Sequence, residues 1–249
     1  MKDQLQSRIV PVAEITEAEA RAMYEILSRH YDCVSVERFL KDLAEKDCIL
    51  MLRDRNDTIR GFSTQKLLRV SVGGKPIRAV FSGDTIVDRA YWGEQELGRC
   101  WCRYVSSLYT EEPDVPLYWF LISKGYRTYL YLPLFFETFY PNFQAPTPEF
   151  EQRVLDTLAS AKFPLYYRPE KGIIEFPESQ GQLKPHLAGI AARRLRHPHV
   201  QFFLSRNPGF AAGSELACLA EISPSNMKLF AGRILRQTQT LDVLCQGAD

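Results

Sequence analysis

Three strand-like runs near the start of the chain constrain the fold more than any other feature. Residues 48–52, 59–72 and 77–87 are apolar or alternate between apolar and polar side chains, a pattern typical of β-strands. The polar and charged residues 53–57 join the first two runs. Gly73-Gly74 joins the other two and can supply the positive φ angles of a tight hairpin. Together the runs predict a three-stranded antiparallel meander.

Two helices are expected before the meander. Residues 9–15 are typical of a strand, and Thr16 with Glu19 forms a capping box that starts a helix running to about His30. Ser35 is a second helix cap, followed by apolar residues at helical spacing.

The pattern after the meander alternates between helix and strand. Helices are predicted at residues 91–109, 128–140, 148–160 and 225–236. Strands are predicted at residues 117–123, 199–204 and 215–222, with a further short strand at 173–176. An Asn-Pro-Gly turn signal at 207–209 separates residues 199–204 from 215–222, so these two runs predict a closing hairpin.

This order resembles the Gcn5-related N-acetyltransferase (GNAT) superfamily over residues 8–140 and 199–222. The best local match is residues 85–98, where an apolar strand ends at Val87 and a turn containing Gly93 opens a helix. The resemblance implies an α/β (α+β) fold with a mixed, mainly antiparallel central sheet flanked by helices. It also implies a single domain over residues 1–249, with an α-rich insertion at 141–198 before the last hairpin.

The resemblance further implies that the turn after the strand receives the phosphates of coenzyme A. Free backbone N–H groups and the positive end of a helix dipole suit an anion there. Tyr91, Trp92, Gly93 and Gly98 are the candidate cofactor-binding residues. The family has glutamine or arginine three residues before the glycine and a small residue two after it, whereas this chain has Ala90 and Gln95 there.

Acyl transfer to an amine needs a base and a proton source for the leaving thiolate. Asp84 and Asp88, on and beside the third strand of the meander, are the candidate bases, and Tyr140 is the candidate acid. Asp84 either faces solvent or lines a cleft, and core packing is the alternative reading for Tyr140. We predict a cleft at the C-terminal end of residues 77–87, lined by Asp84, Asp88, Trp92 and Tyr140.

The predicted function is transfer of an acyl group from acyl-CoA, or from phosphopantetheine on an acyl carrier protein, to a small-molecule amine. The aromatic stretch 118–143 could wall a pocket for a bulky acyl chain, as in the related acyl-homoserine-lactone synthases and N-acyl amino acid synthases. The alternative function is a GNAT-fold protein without transferase activity that binds a ligand or partner. Fold alone does not decide between the two.

Composition excludes several other classes. Lys+Arg is 31 and Asp+Glu is 30, so a net charge of +1 gives no field to attract nucleic acid. The six cysteines are too scattered for a secreted disulfide scaffold, and no residue spacing predicts a metal site. We found no signal peptide and no apolar run long enough to span a membrane, so we expect a cytoplasmic location.

Overall fold

An eight-stranded sheet organises the protein. The computed structural model describes residues 5–177, 181–184, 189–190 and 192–228. The strands are β1 (Gln6–Pro11), β2 (Tyr31–Asp32), β3 (Cys48–Arg53), β4 (Ile59–Val72), β5 (Lys75–Val87), β6 (Leu117–Ser123), β7 (Tyr167–Arg168), β8 (Ile173–Ile174), β9 (Gln182–Leu183) and β10 (Glu215–Glu221). The sheet order is β1-β3-β4-β5-β6-β10-β8-β7, and β2 pairs separately with β9.

The predicted meander is confirmed. β3, β4 and β5 are consecutive antiparallel strands, and Gly73 and Gly74 form the second turn with φ angles of 57° and 78°. β5 and β6 are parallel from Arg78–Leu117 to Ser82–Leu121, whereas the other described pairs in this sheet are antiparallel. The predicted fold class, a mixed and mainly antiparallel sheet flanked by helices, is therefore confirmed.

Helices cover both faces of the sheet. They are α1 (Glu17–His30), α2 (Val36–Ala44), α3 (Glu96–Glu111), α4 (Tyr126–Tyr129), α5 (Tyr131–Phe135), α6 (Glu149–Lys162), α7 (Ala192–Leu195) and α8 (Pro198–Arg206). The capping box of Thr16 and Glu19 starts α1, and the Ser35 side chain caps α2, both as predicted. One core packs α3 on the sheet through Trp101 and Trp119. A second packs α6 on the opposite face through Leu158 and Phe120.

The predicted closing hairpin is wrong. Residues 199–204 lie inside α8, so they do not pair with β6; β10 occupies that position instead. Val200 and Phe203, three residues apart, are the buried residues of α8, which is a helical spacing, and Pro198 lies in its first turn. On its other side β10 pairs with β8, inside the predicted short strand at 173–176.

The predicted aromatic helix at 128–140 is also wrong. The structure has two short helices, α4 and α5, and the chain is no longer helical after Phe135. Pro133 has no N–H to continue a helical ladder. Tyr140 instead exchanges two 2.7 Å backbone hydrogen bonds with Leu219 of β10. The aromatic side chains of this segment are therefore distributed between a helix face and a sheet edge.

Two further boundaries differ from the predictions. The first strand is β1, which ends at Pro11 because the chain then enters a short 3₁₀ turn at Val12–Glu14. Residues 225–228 form a turn and a bridge, and the rest of the predicted helix at 225–236 lies outside the described residues. The single domain over 1–249 and its insertion at 141–198 stay predictions; the described part of 141–198 contributes α6 and the two-residue strands β7, β8 and β9.

Candidate active site

A β-bulge marks the point where β5 leaves β6. Ser82 pairs with Gln65 and Thr85 with Ser63, so Gly83 and Asp84 together oppose the single residue Thr64. The parallel pairing with β6 ends at Ser82. A bulge adds one residue to a strand and increases its twist, which re-aims the side chains beside it. Two neighbouring strands therefore separate next to a carboxylate.

Glycine at residue 83 leaves room for two neighbouring side chains. A Cβ atom there would lie 2.6 Å from the Thr64 hydroxyl and 2.8 Å from the Cε atom of Lys46. Lys46 is 5% exposed, and its ammonium ends beside Asp42 at 2.5 Å. Gly83 thus lets the Lys46 side chain pass directly against the backbone of the bulge.

The separated strands form the floor of a groove of about 230 Å³. Phe81, Asp84 and Thr85 line it from β5, and Ile122 lines it from β6. The remaining walls come from the α1–α2 region, the chain after β6 with α4, the end of α6, the chain after β8 and the start of β10. These residues are Leu27, Tyr31, Val34, Ser35, Arg38, Phe39, Asp42, Lys124, Thr128, Lys162, Phe163, Phe176 and Glu215. Apolar and aromatic walls with a few charged groups are typical of small-molecule sites.

Asp84 is the carboxylate that stands alone in this groove. It forms no hydrogen bond and no ion pair within 4.0 Å with any residue that the structure describes, and its side chain is partly exposed. Burial raises the pKa of Asp84 to about 6, and the carboxylate of Asp42 adds to the rise. The ammonium groups of Lys124 and Lys46 oppose it. Such a carboxylate can hold or release a proton near neutral pH.

The lysines around the groove have carboxylate partners. Lys46 lies 2.5 Å from Asp42 and Lys124 lies 3.4 Å from Glu215. Lys162 lies 2.6 Å from Glu45. Because each of these ammonium groups already has an anion, Asp84 is left uncompensated at short range.

A chain of hydrogen bonds crosses the sheet and ends in the groove. The Trp119 indole donates to Ser82 at 2.9 Å, and the Ser82 hydroxyl donates to the Gln65 side chain at 2.8 Å. The Gln65 amide donates to the Ser63 hydroxyl, which lies 2.7 Å from Thr85. Either hydroxyl of the Ser63–Thr85 pair can be the donor.

The last bond of this chain reaches the bulge itself. The Thr85 hydroxyl donates to the carbonyl of Gly83 at 3.3 Å. Gln65 is fully buried and Ser82 nearly so, and buried polar groups that lose a partner cost about 1–3 kcal/mol each. The chain therefore stabilises the register that places Asp84 in the groove.

Asp88, the other candidate base, has a different environment. Its carboxylate accepts from the backbone of Ala90 at 3.2 Å and so caps a short 3₁₀ turn. It lies 3.7 Å from the guanidinium of Arg60 and 3.8 Å from that of Arg29. It is not among the residues that line the groove.

Trp92 lies in the loop between β5 and α3 and outside the groove lining. Its indole donates to the carbonyl of Val87 at 2.9 Å. The guanidinium carbons of Arg127 and Arg89 lie 4.7 Å and 5.9 Å from the ring centre. Neither arginine has a carboxylate within 4.0 Å among the described residues. The sequence analysis did not single out either arginine. Arg89 follows β5 and Arg127 follows β6, and a cation placed after the end of a strand is the sequence signal that would have indicated them.

The other predicted cofactor residues lie in or near this loop. Gly93 adopts a φ of 95°, and a Cβ there would meet nothing within 4 Å. The ring of Tyr91 packs under the guanidinium of Arg60 at 5.8 Å. Gly98 lies in α3, where a Cβ would come within 3.1 Å of the Phe135 ring, so its smallness serves helix packing.

Tyr140 does not reach the groove. It lines a separate pocket together with Tyr118 and Glu221. The structure therefore does not bring the four predicted cleft residues together: Asp84 lines the groove, whereas Asp88, Trp92 and Tyr140 do not. The prediction placed Tyr140 in a helix, and the extended segment that carries it lies at β10 instead.

The described part of the chain offers neither a cluster of metal ligands nor a membrane-spanning helix. No group of three or more His, Cys, Asp or Glu side chains could hold a metal ion there. Among the same residues, no helix combines the length and the apolar character needed to cross a bilayer.

Comparisons with known proteins gave only distant structural likenesses. No family model and no curated protein matches the sequence. A conserved Enterococcus faecalis protein of unknown function, described as a probable N-acyltransferase, has 14% identity and a TM-score of 0.41 over 54% of this chain and 33% of its own. A GNAT family N-acetyltransferase from Escherichia coli, solved with CoA, has 18% identity and a TM-score of 0.39 over 55% and 71%.

A third solved structure is glucosamine-6-phosphate N-acetyltransferase from Arabidopsis thaliana, with 13% identity and a TM-score of 0.35 over 48% of this chain and 82% of its own. The chain spans about a third of the Enterococcus protein that it matches. None of these three supports the predicted relation to acyl-homoserine-lactone synthases. At identities below 25% and TM-scores below 0.5, the likenesses are too distant to assign an activity.

Proposed function

We propose that this chain is an acyltransferase that moves an acyl group from a thioester donor to the amine of a small molecule. The observation that carries the proposal is the unpartnered Asp84 carboxylate, in a groove where two parallel strands separate. A pKa of about 6 allows Asp84 to be ionised at pH 7.5 and still accept a proton.

In the proposed reaction Asp84 takes a proton from the acceptor ammonium or amine. The amine nitrogen then attacks the thioester carbonyl carbon, and the C–N bond forms as the C–S bond breaks. The thiolate that leaves is a stronger base than the Asp84 carboxylate, so it takes up the proton that Asp84 received, and Asp84 returns to its ionised form. An acceptor that enters as an ammonium ion releases its other proton to water. The step needs no oxidant, reductant or metal ion.

The proposed donor is acyl-CoA or an acyl group on phosphopantetheine, entering where β5 and β6 diverge. The loop residues Tyr91, Trp92 and Gly93 are proposed to contact it, with Gly98 in the helix behind them. Arg89 and Arg127 support this proposal because their guanidinium groups flank Trp92 without carboxylate partners among the described residues. Guanidinium groups bind phosphate oxygens strongly.

The proposed acceptor is a small amine. A groove of about 230 Å³ suits a small molecule. Phe39 and Phe176 supply apolar walls for its carbon skeleton. An acyl carrier protein as the donor's carrier, and a cytoplasmic location, stay parts of the proposal without a contact that argues for them.

A second candidate function is ligand binding without catalysis. Ala90 and Gln95 stand where the resemblance calls for phosphate-contacting residues, and Glu94 and Glu96 add carboxylates. The Glu96 carboxylate should repel a phosphate less than its position suggests, because it already accepts hydrogen bonds from Ser7 at 2.6 Å and from Arg103 at 3.1 Å.

The experiment that separates the two functions is a thioester-consumption assay. Acetyl-CoA and a long-chain acyl-CoA are offered with a panel of small amines to the parent protein and to Asp84→Asn. Asn keeps the shape of the side chain without its basicity, so we expect a rate about 10²–10⁴-fold lower. Asp114→Asn, at an exposed carboxylate remote from the groove, is the control and should match the parent.

Melting curves complete the design. A folded Asp84→Asn protein with the parent rate would remove Asp84 from the mechanism. No turnover in the parent with any donor, combined with a ligand-induced rise in melting temperature, would favour the binding function. Saturating ligand at ~100 times its dissociation constant stabilises the folded state by about 2.7 kcal/mol.

A further inference from the structure

A second pocket, of about 280 Å³, lies at the opposite end of α6 from the groove. Glu151 in the first turn of α6 lines this pocket, whereas Lys162 at its last turn lines the groove. Eleven residues at 1.5 Å per residue separate the two sites by about 17 Å along the helix. The second pocket is therefore a separate feature of the surface.

The strand register accounts for the side chains that meet in this pocket. Tyr118 of β6 is directly opposite Glu221 of β10, and Tyr140 is opposite Leu219. Directly opposite residues, and residues two apart on one strand, share a face of a sheet. Tyr118, Tyr140 and Glu221 therefore project on the face that carries α6, where Glu151 meets them.

The pocket wall is held by hydrogen bonds. The Asn226 amide donates to the carbonyl of Thr138 at 2.9 Å, and the backbone N–H of Thr138 donates to Asn226 at 2.8 Å. Asn226 also donates to the carbonyl of Glu221 at 2.8 Å. These bonds tie the end of β10 to the segment that carries Tyr140, so the pocket is preformed.

The charge of the pocket is negative. Glu137, Glu151 and Glu221 line it, and the described residues of its lining include no lysine, arginine or histidine. Among the described residues, none of the three has an ion-pair partner within 4.0 Å. Burial, together with the neighbouring Glu151 carboxylate, raises the pKa of Glu221. A bound cation would remove this repulsion.

Tyr118 supplies an independent observation. The residue is only 5% exposed, and its hydroxyl has no hydrogen-bond partner among the described residues. Since Tyr118 lines the pocket, the exposed remainder of its side chain faces into it. A phenol oxygen in this setting can accept a hydrogen bond from a ligand N–H group, and a phenol ring attracts a cation to its face.

We propose that this pocket binds an organic cation carrying an alkylammonium group, held by Glu151 and Glu221 and packed against the rings of Tyr118 and Tyr140. An ammonium group has three N–H donors, which match carboxylate and phenol acceptors. A metal ion fits less well, because no described group of three carboxylates converges closely enough to hold one. Glu137 at the rim suits a second ammonium, so the ligand class is an alkyl diamine.

Isothermal titration calorimetry with 1,4-diaminobutane tests the proposal, with 1,4-butanediol as the uncharged analogue. We expect binding of the diamine and none of the diol. Glu221→Gln and Glu151→Gln should each raise the dissociation constant at least tenfold, since each removes a charge-assisted contact. Tyr118→Phe should weaken binding less, because the ring remains.

Two control variants distinguish binding in this pocket from attraction by overall charge and from binding in the groove. Glu149→Gln removes an equal charge from the same turn of α6, at a side chain that is 87% exposed and outside the pocket lining. Asp84→Asn removes the groove carboxylate. Glu149→Gln should bind the diamine as the parent does, and Asp84→Asn should keep the binding event that Glu221→Gln and Glu151→Gln weaken. Both variants should have unchanged far-UV circular dichroism.

Absence of binding in the parent would overturn the proposal. Equal weakening by Glu149→Gln and Glu221→Gln would also overturn it, because attraction would then come from overall charge. Loss of binding in Asp84→Asn alone would place the diamine in the groove as an acyl acceptor. That result would overturn the second site while supporting the proposed function.

Discussion

Asp84 and Asp88 lie four residues apart at the end of the same strand, yet their surroundings are opposite. Asp88 caps a turn and lies within 4.0 Å of two arginines. Asp84 lines a groove, has no such partner among the described residues, and has its pKa raised to about 6 by burial. The surroundings of Asp88 stabilise a charged carboxylate, whereas those of Asp84 do not. Because an uncompensated carboxylate does not stabilise the fold, Asp84 is the stronger candidate for a functional role.

The largest expected difference between the two is in rate. Asp84→Asn should lower kcat/KM by about 10²–10⁴-fold, whereas Asp88→Asn should change it by less than about threefold. Steady-state assays of both variants with the same donor and amine measure this. Equal losses would make Asp88 a catalytic candidate again.

The pH profile sharpens the same comparison. If Asp84 is the base, kcat/KM should fall about tenfold per unit as pH drops below 6, since only the ionised form accepts a proton. Asp88→Asn should keep this profile. An acidic limb that persists in Asp84→Asn would show that another group controls it.

Donor binding should depend on the loop near Asp88. Arg127→Ala removes a guanidinium stacked on Trp92 at 4.7 Å, so we expect KM for acyl-CoA to rise about tenfold, the effect of losing one phosphate contact of about 1.5 kcal/mol. Arg21→Ala, at an exposed arginine of α1, is the control. An unchanged KM for acyl-CoA in Arg127→Ala would show that the donor phosphates do not bind at Arg127.

Substitution of Gln65 tests whether its buried hydrogen bonds stabilise the bulge. Gln65→Leu breaks the hydrogen-bond chain in the sheet, because the buried Ser82 hydroxyl loses its acceptor and Ser63 loses a donor. The free energy of unfolding should therefore fall by about 1–3 kcal/mol. Because the bulge register would relax, kcat should fall while KM for the donor stays near its parent value. Denaturant titration and kinetics measure both. A stable variant with full activity would show that the chain does not position Asp84.

The smallest effect concerns stability. The pKa of Asp84 is higher in the folded protein than in an unfolded chain, so the folded state binds more protons between about pH 4 and 6. Ionisation of Asp84 therefore lowers the free energy of unfolding. The whole effect is present above about pH 6, and none of it is present below about pH 4. Asp84→Asn should be more stable than the parent at pH 7.5 by about 1 kcal/mol, allowing for partial exposure. Asp88→Asn should be less stable, because it loses a cap.

Local signals in the sequence predicted much of the first half of the fold. Gly73-Gly74, the capping box of Thr16 and Glu19, and the cap Ser35 act through residues a few positions apart, so their effect is visible without tertiary contacts. The strand prediction for residues 199–204 was wrong because a short apolar run is compatible with both helix and strand. Whether such a run joins the sheet depends on which distant segment pairs with β6.

The candidate site shows the same division. The sequence by itself determined that Asp84 lies in a strand of an antiparallel meander, next to a glycine. The tertiary structure alone decided that Gly83 and Asp84 form a bulge, that β6 ends its pairing there, and that the neighbouring lysines are already neutralised. It also decided that Tyr140 lies beside β10 and away from Asp84. The physical reason is that strand pairing and burial bring together residues that are far apart in the chain, and a local sequence pattern does not specify which distant segment a strand pairs with.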